Sequence, residues 1–196
     1  STRIVNKFLS IPYAAPVQRF ATPSPPPSSK DDKAADKLPP ACPQNGGVGF
    51  GAPDISESED CLYLNVFSPA SNLTSPDTSG RTVMVWFFGG GMQFGTASVP
   101  TYDGTNFSAN HDVIIVAPNY RTNGKYAVFG FPGEVPGVPV SERNLGLLDQ
   151  KVALRWVQDN IQTFGGDPKK VTIFGESAGG RSVDFHLQSY PKNPPF

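Results

Sequence analysis

The sequence predicts an α/β fold with a mostly parallel central sheet and flanking helices, and three observations carry that expectation. TVMVWFF (82–88) and VIIVAPNY (113–120) are nearly continuous in β-branched, aliphatic and aromatic residues, as strands covered on both faces are. Residues 144–161 carry apolar side chains at helical spacing. VTIF (171–174) then reads as a short buried strand, and AGGRSVDFHLQ (178–188) can run on from it as a helix. Strand, helix, strand, helix is the order of parallel strands joined by crossovers.

Composition agrees with a folded domain. The chain of 196 residues is 38% hydrophobic and 11% aromatic, enough for one domain with a sizeable core. Glycine (20) and proline (21) are frequent, which implies many turns and long ordered loops. A net charge of -1 supplies no electrostatic reason to expect nucleic acid or an anionic membrane as partner. The longest apolar run, Val83 to Phe88, stops at three glycines, far short of the ~20 residues of a membrane span. No leader-like charged and apolar start is visible, so a secretion signal is expected to be removed or to lie outside this sequence.

Taken in order, residues 21–41 (ATPSPPPSSKDDKAADKLPPA) read as a solvated proline-rich loop within one domain. LYLNVFSP (62–69) alternates like a strand and ends at proline. In the long helix Asn144 can cap the start, Leu145, Leu148, Val152 and Trp156 form a stripe, and Leu154, Val157 and Ile161 widen it. Gly165-Gly166-Asp167-Pro168 ends it, and no internal repeat is present. Cys42 and Cys61 enclose residues 43–60, and on spacing alone they are either two buried thiols or a disulfide. The sequons at Asn72 (Asn72-Leu73-Thr74) and Asn106 (Asn106-Phe107-Ser108) favour the disulfide and the secretory pathway.

Two motifs carry chemistry. In Gly175-Glu176-Ser177-Ala178-Gly179 the flanking glycines let the backbone turn sharply from strand into helix, which pushes Ser177 out at the carboxyl edge of the sheet. The Ala178 amide then lies at the amino end of the new helix, where free N–H groups favour a developing negative charge. An ordinary glycine-rich turn with a surface serine is the bland reading, and the strand before and helix after weigh against it. In WFFGGGMQFG (86–95) three glycines follow a buried strand, leaving backbone amides open to a ligand. Gly90 and Gly91, with Ala178, can supply the two or three donors that acyl transfer needs at its oxyanion. A phosphate-binding loop is the competitor, but neither a following Lys-Ser/Thr nor the G-x-G-x-x-G spacing is present.

These stretches, with FLSIPYAAP and RF (8–20), SEDCLYLNVFSP (58–69), NYR with NLGLLDQKVALRWVQDNI (119–161) and FGGDPKKVTIFGESAGG (164–180), are similar to type-B carboxylesterases. That family is the carboxylesterase, lipase and cholinesterase branch of the α/β-hydrolases. The resemblance covers nearly the whole chain and implies the amino-terminal part of a single α/β-hydrolase domain, residues 1–196, with the triad acid and histidine on strands that follow. It implies Ser177 as nucleophile, Gly90, Gly91 and Ala178 as oxyanion donors, and a Cys42–Cys61 disulfide. It implies structural ion pairs Arg19 with Glu59 and Arg121 with Asp149. Glu176 reads as an electrostatic neighbour, since adjacent residues in a tight elbow point apart.

Departures from the family bear on substrate. Phe88 precedes the glycines where many relatives have histidine. The Cys42–Cys61 loop has no tryptophan to hold a quaternary ammonium, which disfavours choline esters. That loop, PQNGGVGFGAPDISESED, also lacks the apolar helical face of a lipase lid. The expectation is therefore a secreted or secretory-pathway serine carboxylesterase acting through an acyl-enzyme on soluble short or medium acyl esters. Its expected partners are the small-molecule ester and the remainder of the same chain, with no metal or organic cofactor, no nucleic acid and no membrane span. The alternative is a non-catalytic esterase-like adhesion or binding scaffold. Neither His111, at the amino edge of a strand, nor His186, nine residues along the elbow helix, is expected to reach Ser177, so these residues alone should not turn over an ester.

Overall fold

The structure is a computed structural model that describes residues 3–26, 35–44, 55–70, 80–123, 130–134, 136–190 and 192–196. Five strands form one sheet: β1 (Val5–Pro12), β2 (Tyr63–Pro69), β3 (Arg81–Phe87), β4 (Ile114–Pro118) and β5 (Gly166–Gly175). Three α-helices accompany them: α1 (Thr105–His111), α2 (Leu145–Asn160) and α3 (Ala178–Ser189). The spatial order is β1-β2-β4-β3-β5. The sheet is mixed: β1 with β2 and β2 with β4 are antiparallel, whereas β3 pairs parallel to both β4 and β5. The parallel part is the strand-helix alternation expected from the hydrophobic pattern, and the antiparallel part precedes it.

Strand β1 and helix α1 have no counterpart among the elements expected from periodicity, for local reasons. In β1 the register shifts between Phe8 and Ile11, with Ser10 at φ +58° donating its amide to Asn65 Oδ1 at 3.2 Å, so the period of two is broken mid-strand. Helix α1 spans seven residues, TNFSANH, too few for an apolar stripe to repeat. Strand β5 also begins earlier than VTIF. Gly166 pairs with Arg81 and a bulge intervenes before Val171 pairs with Val83, so the GDP segment is absorbed into the strand.

Two faces of the sheet are covered by different helices. Val83, Val85 and Phe87 of β3, with Ile114 and Val116 of β4, form the main core with Ala153, Leu154 and Val157 of α2. Ile115 and Phe67 project to the other side, where they meet the turn at Gly104 that opens α1. The chain thus leaves β3 towards one face and β5 towards the opposite face. Adjacent strands with connections leaving in opposite directions create a crevice at their carboxyl ends.

Helix α2 corrects two sequence expectations. Asn144 occupies the N-cap position, but its side chain makes no capping hydrogen bond. The fully buried face is Leu145, Gly146, Asp149, Gln150, Ala153, Leu154 and Val157, so Leu148, Val152 and Trp156 flank the stripe rather than lead it. Its two polar members are partnered. Asp149 accepts from Arg121 at Nε (2.8 Å), Nη2 (2.7 Å) and the backbone amide (3.0 Å), both residues being wholly buried. The pair ties the end of β4 to α2, and Arg121 Nη1 reaches Ala21 O at 2.8 Å. The 21–41 segment is accordingly only partly solvated. Pro39 O accepts from Ser98 Oγ and Pro40 O from Asn119 Nδ2, both at 2.8 Å, while residues 27–34 lie outside the described residues.

The second expected ion pair is at the surface, with Arg19 Nε donating to Glu59 Oε1 at 2.7 Å. Cys42 and Cys61 are bonded, with Cα atoms 5.1 Å apart, and both are buried in the main core. Among the described residues no helix is long and apolar enough to cross a membrane.

Candidate active site

Strand β5 ends at Gly175 and α3 begins at Ala178, so only Glu176 and Ser177 turn the chain. That turn demands an unusual backbone: Ser177 sits at φ +52° and ψ -115°, a conformation that costs roughly 1–3 kcal/mol for a residue with a side chain. Helix α3 also approaches β3 closely. A Cβ on Gly179 would overlap the Phe87 carbonyl oxygen, and one on Gly175 would lie 2.5 Å from the Gly179 carbonyl carbon. The two glycines therefore hold the helix against the strand ends, and Ser177 is left exposed at the carboxyl edge.

The glycine run after β3 packs directly on this turn. A Cβ on Gly89 would meet Glu176 Oε2 and stand 3.2 Å from Ser177 Cβ. Gly90 (φ +106°) and Gly91 (φ +63°) bend the loop back, and Gly90 O accepts from Gln93 N at 3.0 Å. Ser177, Ala178 and Arg181 from the elbow face Gly91 and Met92 across a cleft of about 420 Å³. Gly90 lies one residue behind that lining. Among the described residues the amides of Gly90, Gly91 and Ala178 have no carbonyl or side-chain acceptor. An exposed hydroxyl beside unpartnered amides at a helix amino end is an arrangement that can receive an oxyanion.

The sequence profile of the carboxylesterase family matches residues 1–195. The chain belongs to the carboxylesterase family. It is similar to a cholinesterase of Mus musculus, 45% identical over 201 aligned positions that cover 95% of this chain and 32% of that protein. An acetylcholinesterase of Electrophorus electricus is 43% identical, over 98% of this chain and 31% of that one. Among solved structures a thermophilic PNB esterase superposes with a TM-score of 0.79 at 42% identity, over 93% of this chain and 37% of that one. The fold is that of an α/β-hydrolase, and the chain spans about a third of the length of the relatives it matches.

In this carboxylesterase-family chain the glycine loop is anchored by residues that sequence reasoning did not single out. Tyr120 Oη donates to Phe88 O at 2.6 Å, and the two rings stack with centroids 4.1 Å apart. Asn123 N donates to Met92 O at 2.7 Å. Gln44 clamps the far end: Gly95 N donates to its Oε1 at 2.7 Å, and its Nε2 donates to Gly95 O at 3.2 Å and to Cys42 O at 2.9 Å. The disulfide therefore fixes the residue that fixes the loop. No local signal marks Gln44, whose partner lies 51 positions away.

Both histidines are placed away from Ser177. His111 ends α1, before the amino end of β4, with its ring tilted against Phe107 at a centroid distance of 4.6 Å. His186 is buried between α2 and α3, with Nε2 2.9 Å from Gln150 Oε1, while Gln150 Nε2 donates to Ser182 Oγ at 3.0 Å. Burial, reinforced by the nearby Lys151 charge, pushes the His186 imidazole down to about 4. The geometry makes it a neutral core residue. Of the sequons, Asn106 is exposed on α1 while Ser108 is buried, its hydroxyl donating to Val113 O at 2.6 Å; Asn72 lies outside the described residues. Residues 45–54 of the Cys42–Cys61 loop also lie outside them, and with them most of the segment expected to form a short lidless loop.

Proposed function

We propose that the protein containing this chain is a serine carboxylesterase in which Ser177 is the nucleophile. One observation carries the reading: Ser177 shares a cleft with Gly91 and Ala178, whose amides are unpartnered among the described residues. A histidine elsewhere in the full-length protein takes the Ser177 proton as Oγ attacks the ester carbonyl carbon. The carbonyl electron pair moves to oxygen, which rests on the amides of Gly91 and Ala178, with Gly90 as third donor. Collapse expels the alcohol, which receives the proton from the histidine. Water, deprotonated by the same base, then releases the acid and restores Ser177.

The substrate class is the soluble short or medium acyl ester. The relatives named cholinesterases support ester hydrolysis, whereas the loop between Cys42 and Cys61, without tryptophan, argues against choline as the alcohol. The disulfide and the exposed Asn106 support passage through the secretory pathway. A fluorophosphonate probe tests the nucleophile: the full-length protein should be labelled at Ser177 and nowhere else on this chain. A folded protein that resists the probe would remove the reading.

A further inference from the structure

Arg181 lies one helical turn beyond Ser177, its amide donating to Ser177 O at 3.1 Å. Side chains on a helix tilt back towards its amino end, so the Arg181 stem leans over the turn that holds Ser177. It lines the cleft together with Gly91, Met92, Ser177 and Ala178, and is the only charged residue among those five. Its side chain is exposed, and among the described residues no carboxylate is paired with it. Asp184, the nearest acid in sequence, accepts instead from Gln188 Nε2 at 2.9 Å, and the Glu176 carboxylate lies against Gly89. A cation in the first turn also opposes the helix dipole, so the charge does not serve the helix that carries it.

We infer that Arg181 is a specificity-determining residue, selecting esters that bear a second, anionic group over neutral or cationic ones. The inference rests on the serine-esterase reading above. Ser177 at the N-cap and Arg181 in α3 line the same cleft, so the preferred carboxylate stands a few carbons from the ester carbonyl on the same small molecule. A guanidinium receives such a carboxylate through paired, charge-assisted N–H donors. The same charge repels a quaternary ammonium, which adds a second reason for choline esters to be poor substrates.

The test compares mono-p-nitrophenyl glutarate with p-nitrophenyl butyrate on the full-length protein and its Arg181→Gln, Arg181→Lys and Arg181→Glu variants. The ratio of kcat/KM for the anionic over the neutral ester should fall about tenfold in Arg181→Gln, chiefly through KM. Lysine should restore most of it, glutamate should invert it, and added salt should shrink it in the parent. A ratio that stays within about twofold across all four proteins, where one lost charge contact should show clearly, overturns the inference. Binding separates this from the nucleophile question. Monomethyl glutarate should bind the Ser177→Ala protein and lose affinity in Ser177→Ala with Arg181→Gln. If the parent hydrolyses neither ester while that Arg181-dependent binding persists, the nucleophile reading falls and the anion preference stands. Hydrolysis with a ratio and binding indifferent to Arg181 keeps the nucleophile and removes the anion preference, and neither hydrolysis nor binding removes both.

Discussion

Ser177 holds a backbone conformation, φ +52° and ψ -115°, that its own side chain disfavours. Neighbours impose it: Gly175 and Gly179 seat α3 on β3, so the two intervening residues have no relaxed path between strand and helix. Strain of this kind, located at an exposed hydroxyl, separates position from stability and gives a two-part expectation. Ser177→Ala in the full-length protein should lower kcat on p-nitrophenyl acetate by on the order of 10⁴-fold or more, as loss of an activated serine does. Ser177→Gly should be equally inactive yet more stable by about 1 kcal/mol, because glycine accepts the positive φ without a Cβ penalty. Chemical denaturation of the two variants checks the difference, and a destabilised glycine variant would mean that the serine conformation is not strained.

Helix α2 buries a carboxylate, Asp149, and an amide, Gln150, side by side. Asp149 is wholly buried against Arg121, and removing one member of such a pair leaves an uncompensated charge. Asp149→Ala should therefore destabilise the protein by about 3–5 kcal/mol, seen as a lowered denaturation midpoint. Beside it Gln150 Oε1 accepts from His186 Nε2, whose imidazole is held neutral by burial. The folded state binds its proton only near pH 4, whereas the unfolded chain binds it near the ordinary 6.5. Between those values the unfolded state carries the extra proton, so stability falls as pH drops from about 6.5 towards 4, by about 3 kcal/mol in all. A pH series of unfolding free energies should show this slope in the parent and lose about one proton's worth of it in His186→Gln. Identical slopes in the two would place the acid sensitivity elsewhere.

At the level of the whole chain the disulfide, Gln44 and the glycine loop form one mechanical series. The Cys42–Cys61 bridge lies in the core, and Gln44 passes its constraint to Gly95 by two hydrogen bonds. Replacing both cysteines by serine should cost about 3 kcal/mol of stability by the chain-entropy account. It should also lower kcat, because the amide donors lose their fixed aim; Gln44→Ala should reproduce the kinetic loss with the bridge intact. Strand β5 stands at the edge of the sheet and pairs only with β3 among the described residues. With neither His111 nor His186 near Ser177, residues 1–196 expressed alone should hydrolyse no ester by a triad. Activity from the fragment that is abolished by Ser177→Ala would show that one of those two histidines reaches the serine after all.

Local periodicity and glycine placement are enough to read strands β2 to β5, helices α2 and α3, and the serine at the turn between β5 and α3. Each of those features is written within a window of a few residues: a buried run, a helical stripe, two glycines flanking one side chain. The cysteine pairing and the ion pairs come from likeness to a family, since spacing leaves the cysteines open. What local sequence does not carry is the rotation of α2 that buries Asp149 and Gln150 in place of Leu148 and Trp156. That choice belongs to Arg121 and His186, which stand 28 and 36 positions away and make the polar face easier to bury than to expose. The bulge in β1, the Gln44 clamp on Gly95, the meeting of Gly91 and Ala178 at the cleft, and the charge that Arg181 brings to it have the same origin. Each depends on which segments lie side by side, and burial of the core, summed over the chain, sets that in three dimensions.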